Sequence, residues 1–301
     1  MPAIFLTLWP LFALILAGLV FRRSGFPGEG FWPAAEKLNY FVLFPALLFA
    51  SLAKAPLADP TLLGFAAAIL VVLVVAAIVL ALLRRWRGWP AARYGPLVQG
   101  TIRFNTYLGL ALVGSLYGTE GLARAAVVLA VLVPAVNVLS VIALTAERET
   151  SARQLLMPLV RNPLILACAA GAAFALTGVG LPFGTDRFLG LLAAASLPLG
   201  LLCVGAALKL AAARAETTTL LVNSAGRLVA MPLVAALVAW LFVLSPLDAS
   251  LLVIFFALPT APTAYVLTTQ LKGDATLMAG LVTLQTLLAA ASLPLVLSLF
   301  G

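Results

Sequence analysis

Residues 61–83 read TLLGFAAAILVVLVVAAIVLALL, twenty-three consecutive positions without a charge, and the chain then turns basic at Arg84-Arg85-Trp86-Arg87-Gly88. As a helix this run would be about 34 Å long, enough to cross a hydrocarbon core of roughly 30 Å. A soluble helix of that length would show a polar face. This one has none, so it reads as a membrane span whose basic end returns to water.

The same pattern extends outward over the chain. Of 301 residues, 64% are hydrophobic and 9% charged, against about 25% charged in soluble proteins. Mean hydropathy is +1.17. An ordinary soluble enzyme, a disordered tail and a nucleic-acid reader are excluded. Ten long apolar runs follow one another, roughly at 3–21, 36–53, 61–83, 97–117, 122–145, 162–178, 187–208, 218–243, 248–268 and 276–299. The expected fold is an all-α membrane protein of ten transmembrane helices in a lipid bilayer. The loops are short, and none is long enough to hold a separate activity.

Charge sets the expected orientation. The loops after spans 1, 3, 5, 7 and 9 hold thirteen lysines and arginines, whereas those after spans 2, 4, 6 and 8 hold only Lys54, Arg124 and Arg187. The positive-inside rule puts the first set in the cytoplasm. Both termini then lie outside, in a multi-pass protein of the inner (plasma) membrane. The first span has no basic residue before it and Arg22-Arg23 after it, the wrong polarity for a signal peptide. The net charge of +8 belongs to these loops and does not call for nucleic acid.

Some chemistry is missing. There is no histidine, so a Ser-His-Asp triad and a His-based zinc site are both impossible. No metal site, cofactor or enzymatic activity is expected. Cys168 and Cys203 sit in apolar runs without C-x-x-C spacing and read as buried small hydrophobes. All ten acidic residues fall at or near expected loops, including Glu36 and Asp248. An exchanger of cations would need a carboxylate at membrane depth. With arginine as the intramembrane charge, an anionic solute is favoured. Na⁺ held by carbonyl and hydroxyl oxygens alone stays open.

A basic linker at about 146–161 divides the chain into a first five-span half, 1–145, and a second, 162–301. Five is odd, so a repeated half must be inserted upside down. Leu43-Phe44-Pro45-Ala46-Leu47-Leu48 resembles Leu197-Pro198-Leu199-Gly200-Leu201-Leu202, and Leu116-Tyr117-Gly118 resembles Leu271-Lys272-Gly273. Both matches lie at about the same offset, near half the chain. A 5+5 inverted repeat is expected, the architecture of many alternating-access transporters.

In such carriers the site lies where helices break near the midplane. Two segments in the fourth span of each half combine breakers with polar side chains. They are Arg103-Phe104-Asn105-Thr106-Tyr107-Leu108-Gly109, and Pro259-Thr260-Ala261-Pro262-Thr263-Ala264-Tyr265. Unwound backbone there would offer N–H groups to an anion. Arg103, Asn105, Thr106, Tyr107, Pro259, Thr260, Pro262 and Thr263 are therefore candidate substrate-binding residues. Asn137 and Gln285 join them, each either facing the substrate path or bonding another helix. Arg227, also inside a span, reads as snorkelling to the cytoplasmic surface. Ser140, Ser196 and Ser292 read as packing residues.

With Arg103 through Tyr117-Gly118, Arg161-Asn162-Pro163-Leu164-Ile165, Gly205-Ala206-Ala207-Leu208 and Ala257-Leu258-Pro259-Thr260-Ala261-Pro262, the chain resembles the auxin efflux carrier family along essentially its whole length. It is similar to the short bacterial type. The resemblance implies a fold like that of sodium–proton antiporters and bile-acid symporters, with broken helices 4 and 9 crossing near the substrate. It implies a dimerising scaffold from helices 1, 2, 6 and 7 and a moving transport domain from helices 3–5 and 8–10. It implies small carboxylate substrates such as malonate, malate or auxin-like acids, moved by an elevator-type shift and coupled, if at all, to H⁺ or Na⁺. Many members carry a proline shortly after the glycine of span 4. Here the run is Gly109-Leu110-Ala111, which predicts a milder break.

Overall fold

The computed structural model describes residues 2–28, 30–54, 59, 61–147, 157, 160–214 and 216–300. Among these every regular element is helical. The order is α1 (Pro2–Arg23), α2 (Phe31–Leu38), a π turn (Asn39–Leu43), α3 (Phe44–Leu52), α4 (Thr61–Arg87), α5 (Ala91–Ile102) and α6 (Thr106–Leu144). There follow α7 (Pro163–Leu176), α8 (Thr185–Ala206), a short 3₁₀ turn (Ala212–Arg214), α9 (Thr217–Ala225), a second π turn (Gly226–Ala230) and α10 (Met231–Leu241). The last three are α11 (Pro246–Ala257), α12 (Thr263–Gln270) and α13 (Ala275–Phe300). Most of the expected linker, 148–156 and 158–159, lies outside the described residues.

Helix α4 shows why the chain needs a membrane. Phe65, Ala68, Ile69, Val72, Leu73, Ala76 and Leu80 recur every three or four residues and are buried. The opposite face carries Leu63, Leu70, Val74, Ile78 and Leu82, all exposed. Both faces are apolar, so the outer one requires lipid. Seven described helical stretches are long and apolar enough to span a membrane, and α7 and α11 are shorter apolar helices.

One of the seven, Ala91–Leu144, covers 54 residues. As a continuous helix it would be about 80 Å long, more than twice the thickness of a hydrocarbon core. Its backbone is in fact interrupted twice. Arg103 to Asn105 are not helical, and within α6 Gly118 takes φ 57°, ψ −143°. A positive φ of this kind is open to glycine without strain.

Three expectations need correction. The break in span 4 is not mild: α5 and α6 are fully separated at 103–105, upstream of Gly109. The break needs no proline because Asn105 caps the next helix. Gly109 serves close packing instead, since a Cβ there would come within 2.6 Å of Leu258 Cδ1. The second span opens at Phe31 rather than at 36, so Glu36 lies inside a helix instead of at a loop. Asp248 is likewise not a loop residue: it sits in the first turn of α11 and is 1% exposed.

Helix boundaries recur along the chain. Phe31–Leu52 and Thr185–Ala206 are offset by 154 residues at both ends, and Ala91–Ile102 and Pro246–Ala257 by 155. Packing falls into two groups. Helix α1 lies on α8, and α3 lies on α7 and α8. The α1–α8 contact is backbone to backbone: a Cβ on Gly18 would sit 2.0 Å from Leu202 O, and one on Gly205 would sit 1.8 Å from Ile15 O. Helices α4, α5, α6 and α9–α13 form the other group, with α6 and α13 also touching the first.

Candidate functional site at two helix breaks

The first break, 103–105, separates α5 from α6. The second, 258–262, separates α11 from α12. They meet directly, the Asn105 backbone N–H donating to Pro259 O at 2.8 Å. A break inside an apolar body leaves carbonyls without the bonds a continuing helix would give. Here side chains from other helices supply them.

Arg227, on the second π turn, supplies most. Its Nε donates to Leu258 O at 2.6 Å, one terminal nitrogen to Thr101 O at 3.0 Å and the other to Phe255 O at 2.8 Å. The side chain is 0% exposed. No acidic residue pairs with it among the described residues. The compensation comes from the helices. Each C-terminus carries roughly half a negative charge, and α5 and α11 both end on this guanidinium. Two half-charges offset one cation. Arg227 therefore does not snorkel. Surface escape is a good rule for a lone arginine, but here two helix ends converge on the side chain.

Gln285, fully buried on α13, serves both breaks. Its Oε1 accepts from Thr260 N at 3.0 Å, and its Nε2 donates to Gly100 O at 2.9 Å and to Asn223 Oδ1 at 3.2 Å. Thr260 Oγ1 lies within donating distance of both Gln285 Oε1 and Gly100 O. Asn223 Nδ2 donates to Leu97 O at 2.9 Å. Gly100 must be glycine, because a Cβ would fall 2.4 Å from Asn223 Oδ1.

Asn105 is the N-cap of α6. It is 0% exposed, and its Oδ1 accepts from Leu108 N at 3.1 Å. Its Nδ2 is buried without a hydrogen-bond partner. Such an orphaned donor is uncommon and costly in a native protein. Beside it, half-buried Arg103 donates to Gln99 Oε1 at 3.0 Å and Asn137 Oδ1 at 2.8 Å. Both acceptors are neutral, so its charge is uncompensated by any ion pair among the described residues. Gln99 Nε2 continues the chain to Thr268 Oγ1 on α12 at 2.8 Å.

Thr106 and Tyr107 open α6, and Pro262 and Thr263 open α12. Thr106, Pro262 and Thr263 are half-buried. Tyr107 faces the other group of helices. Its ring packs edge-on against Phe44 with centroids 5.0 Å apart, and a Cβ on Gly200 would meet it at 2.6 Å. Its hydroxyl donates to Glu36 Oε1 at 3.3 Å.

The sequence-expected residues lie at or reach the two breaks, and seven of the ten fall into three roles. Arg103, Asn105 and Asn137 form a polar cluster at the first break. Pro259, Thr260 and Gln285 bind the two breaks together, so the choice left open for Gln285 goes to helix bonding. Tyr107 reaches away to Glu36. Sequence reasoning missed Gln99, Thr101, Asn223, Thr268 and the inward role of Arg227. Asn223 and Arg227, four apart in one span, were the available signal, since that spacing puts two polar groups on one helical face.

Other polar contacts lie apart from the breaks. Arg124 pairs with Asp59 at 2.6 Å and Asp248 at 3.6 Å. Bonds from the Thr61 hydroxyl and backbone N–H, with help from Arg124, hold the Asp59 carboxyl below its ordinary range. An apolar groove of about 390 Å³, lined by Ala236, Trp240, Val243, Ala249, Val253 and Phe300 among others, shares no residue with the breaks.

Comparison with known proteins gives two matches. The family described as membrane transport protein matches residues 3–297. An uncharacterised transporter of Methanothermobacter thermautotrophicus is 26% identical over 292 residues, which cover 96% of each chain.

Proposed function

The chain belongs to the membrane transport protein family, the auxin efflux carrier-like group, and on that premise we propose that it carries small organic anions, mono- or dicarboxylates, across the inner membrane. The observation that carries the reading is the first break. An orphaned amide donor on Asn105, an unpaired Arg103 and the N-terminus of α6 meet in one place. All three favour a carboxylate: the amide completes its hydrogen bonds, the guanidinium and helix dipole its charge balance. A cation would meet the Arg103 guanidinium and the positive end of α6 there.

The mechanism we infer is an elevator-type shift. The ten-helix reading counts α5 with the first part of α6, and α11 with α12, as broken spans 4 and 9. The recurrence of boundaries at 154–155 residues supports two five-helix repeats, inverted because five is odd. The packing of α1, α3, α7 and α8 on one another supports a scaffold, on which α4–α6 and α9–α13 move as the transport domain. Both termini lie outside by the loop-charge bias, and the scaffold forms a homodimer by family likeness. In this reading Asn105, Arg103 and Thr106 touch the anion, with Asn137 orienting Arg103.

The test is a thermal-shift series on purified protein with malonate, malate and aromatic monocarboxylates, each with and without Na⁺. A ligand bound only by the folded state raises stability by RT ln(1 + [L]/Kd), about 2.7 kcal/mol at a hundredfold excess over Kd. A carboxylate shift, lost in Asn105→Ala with folding intact, is expected. A shift that needs Na⁺ would make the protein a sodium symporter on the same fold. Stabilisation by neutral or cationic solutes alone would overturn the anion reading.

A further inference from the structure

Glu36 stands out from the other carboxylates. It lies in the sixth position of α2, inside the apolar stretch Phe31–Leu52, and is half-buried. Its Oε1 accepts from the Tyr107 hydroxyl, two residues beyond Asn105. It thereby joins the α1–α3, α7, α8 group to the first break. Cys203 of α8 packs against Trp32 and Ala35 on the same helix as Glu36. Tyr40, on the adjoining π turn, lies within electrostatic range of both Glu36 and Arg103. The titratable groups nearest Glu36 are therefore Tyr107 of α6, Cys203 of α8 and Tyr40 of the π turn, and Arg103 lies beyond Tyr40. Lys37, next to it on α2, is exposed. Its hydrogen-bond donor, Tyr107, is neutral, and no cation forms an ion pair with the carboxylate among the described residues.

We propose that Glu36 is the proton-binding site of this carrier, taking up one proton from solvent as an anion binds at the first break and releasing it when the anion leaves. This rests on the carrier reading above. An ionised Glu36 and an anion beside Arg103 are like charges in a low-dielectric interior, and each disfavours the other. Neutralising the carboxyl removes the conflict and leaves Arg103 to the anion. By linkage the effect is reciprocal: the anion raises the proton affinity of Glu36 by the factor by which the proton raises anion affinity, on the order of tenfold or more. The proton offsets one negative charge of the incoming anion, so a monocarboxylate leaves the net charge of the site unchanged and a dicarboxylate adds one negative charge.

The experiment measures binding of radiolabelled malate and malonate to the purified protein between about pH 6 and pH 8.5, where both are chiefly ionised. Calorimetry in buffers of different ionisation heat counts the protons. Wild type is expected to lose affinity by up to tenfold per pH unit as Glu36 ionises, with close to one proton taken up per anion. Glu36→Gln fixes the neutral state; its affinity should be flat with pH and its proton uptake zero. Tyr107→Phe keeps the carboxylate and should shift the midpoint of the pH dependence while retaining proton uptake. A folded Glu36→Gln that keeps the wild-type pH dependence and proton uptake, or that binds no anion, overturns the proposal alone. Should Glu36→Gln not fold, infrared difference spectra of the wild type decide: malate must raise the carbonyl band of a protonated carboxyl, and its absence overturns the proposal. Failure of wild type to bind either anion at any pH overturns the carboxylate-carrier reading, and this inference with it.

Discussion

Replacing Arg227 by lysine is the sharpest perturbation of the site, because it keeps the charge and removes only the fork. Three nitrogens of the guanidinium reach three carbonyls, at Thr101, Phe255 and Leu258. An ammonium is a single nitrogen and holds one of them at proper distance. Two buried helix-end carbonyls are orphaned at about 2 kcal/mol each. The charge stays and is still offset by the two helix ends, so the expected loss is about 4 kcal/mol. Arg227→Met orphans all three carbonyls, about 6 kcal/mol, and leaves both helix ends without their cation. Lysine, the nominally conservative change, should therefore recover only about a third of what methionine loses. At about 2 °C per kcal/mol for a larger chain, the lysine variant should melt about 8 °C and the methionine variant about 12 °C below wild type in detergent. Thermal unfolding followed by circular dichroism makes the comparison. A lysine variant close to wild type beside a severely destabilised methionine variant would refute the reasoning, since charge alone would then suffice.

Two further predictions follow from the same geometry. Gly205→Ala drives a methyl into Ile15 O; it should separate α1 from α8 and cost about 3 kcal/mol, the upper end of the usual overpacking range, seen as loss of the monodisperse peak on size exclusion. On the acid side, the folded protein binds protons less readily than the unfolded chain at Asp59, held low by Thr61 and then Arg124, and at Glu216, held low by Arg93 and then Thr219. Their stabilisation is complete above the ordinary values of 3.8 and 4.5 and is lost as pH falls through the depressed ones. The melting temperature should decline less steeply below about pH 4.5 in Asp59→Asn and Glu216→Gln than in wild type; parallel acid limbs would disprove the assignment.

Much of this architecture was legible in the sequence. Apolar runs locate helices because a bilayer tolerates few polar groups, and the two breaks fell where Asn105 and Pro259 said they would. What could not be read was convergence. Periodicity shows that Arg227 is inside a span, yet not that two helix ends point at it. Gln285 shows an amide at depth, and only the fold reveals that it ties Gly100 to Thr260. Glu36 was misjudged for a simpler reason. Span boundaries were drawn where hydropathy rises, and Phe31–Leu38 is amphipathic enough to hide a helix start five residues earlier. Gly109 shows the reverse error: a glycine read as a weak breaker is a packing contact, and a capping asparagine does the breaking.

The glycine contact between α1 and α8 also has a consequence for the order of synthesis. Gly18 and Gly205 are 187 residues apart, and α1 emerges before α8. At about 5–20 residues per second, its partner follows roughly 10–40 s later. During that interval the glycine face of α1 must rest against lipid or a membrane chaperone, while α4, α5 and α6 can already pack on one another. The group containing α1 thus stays open until α8 is made, and the other group closes later still, when α9–α13 join α4–α6. Truncated nascent chains should show α1 accessible to lipid-phase crosslinkers until residues beyond α8 have entered the bilayer.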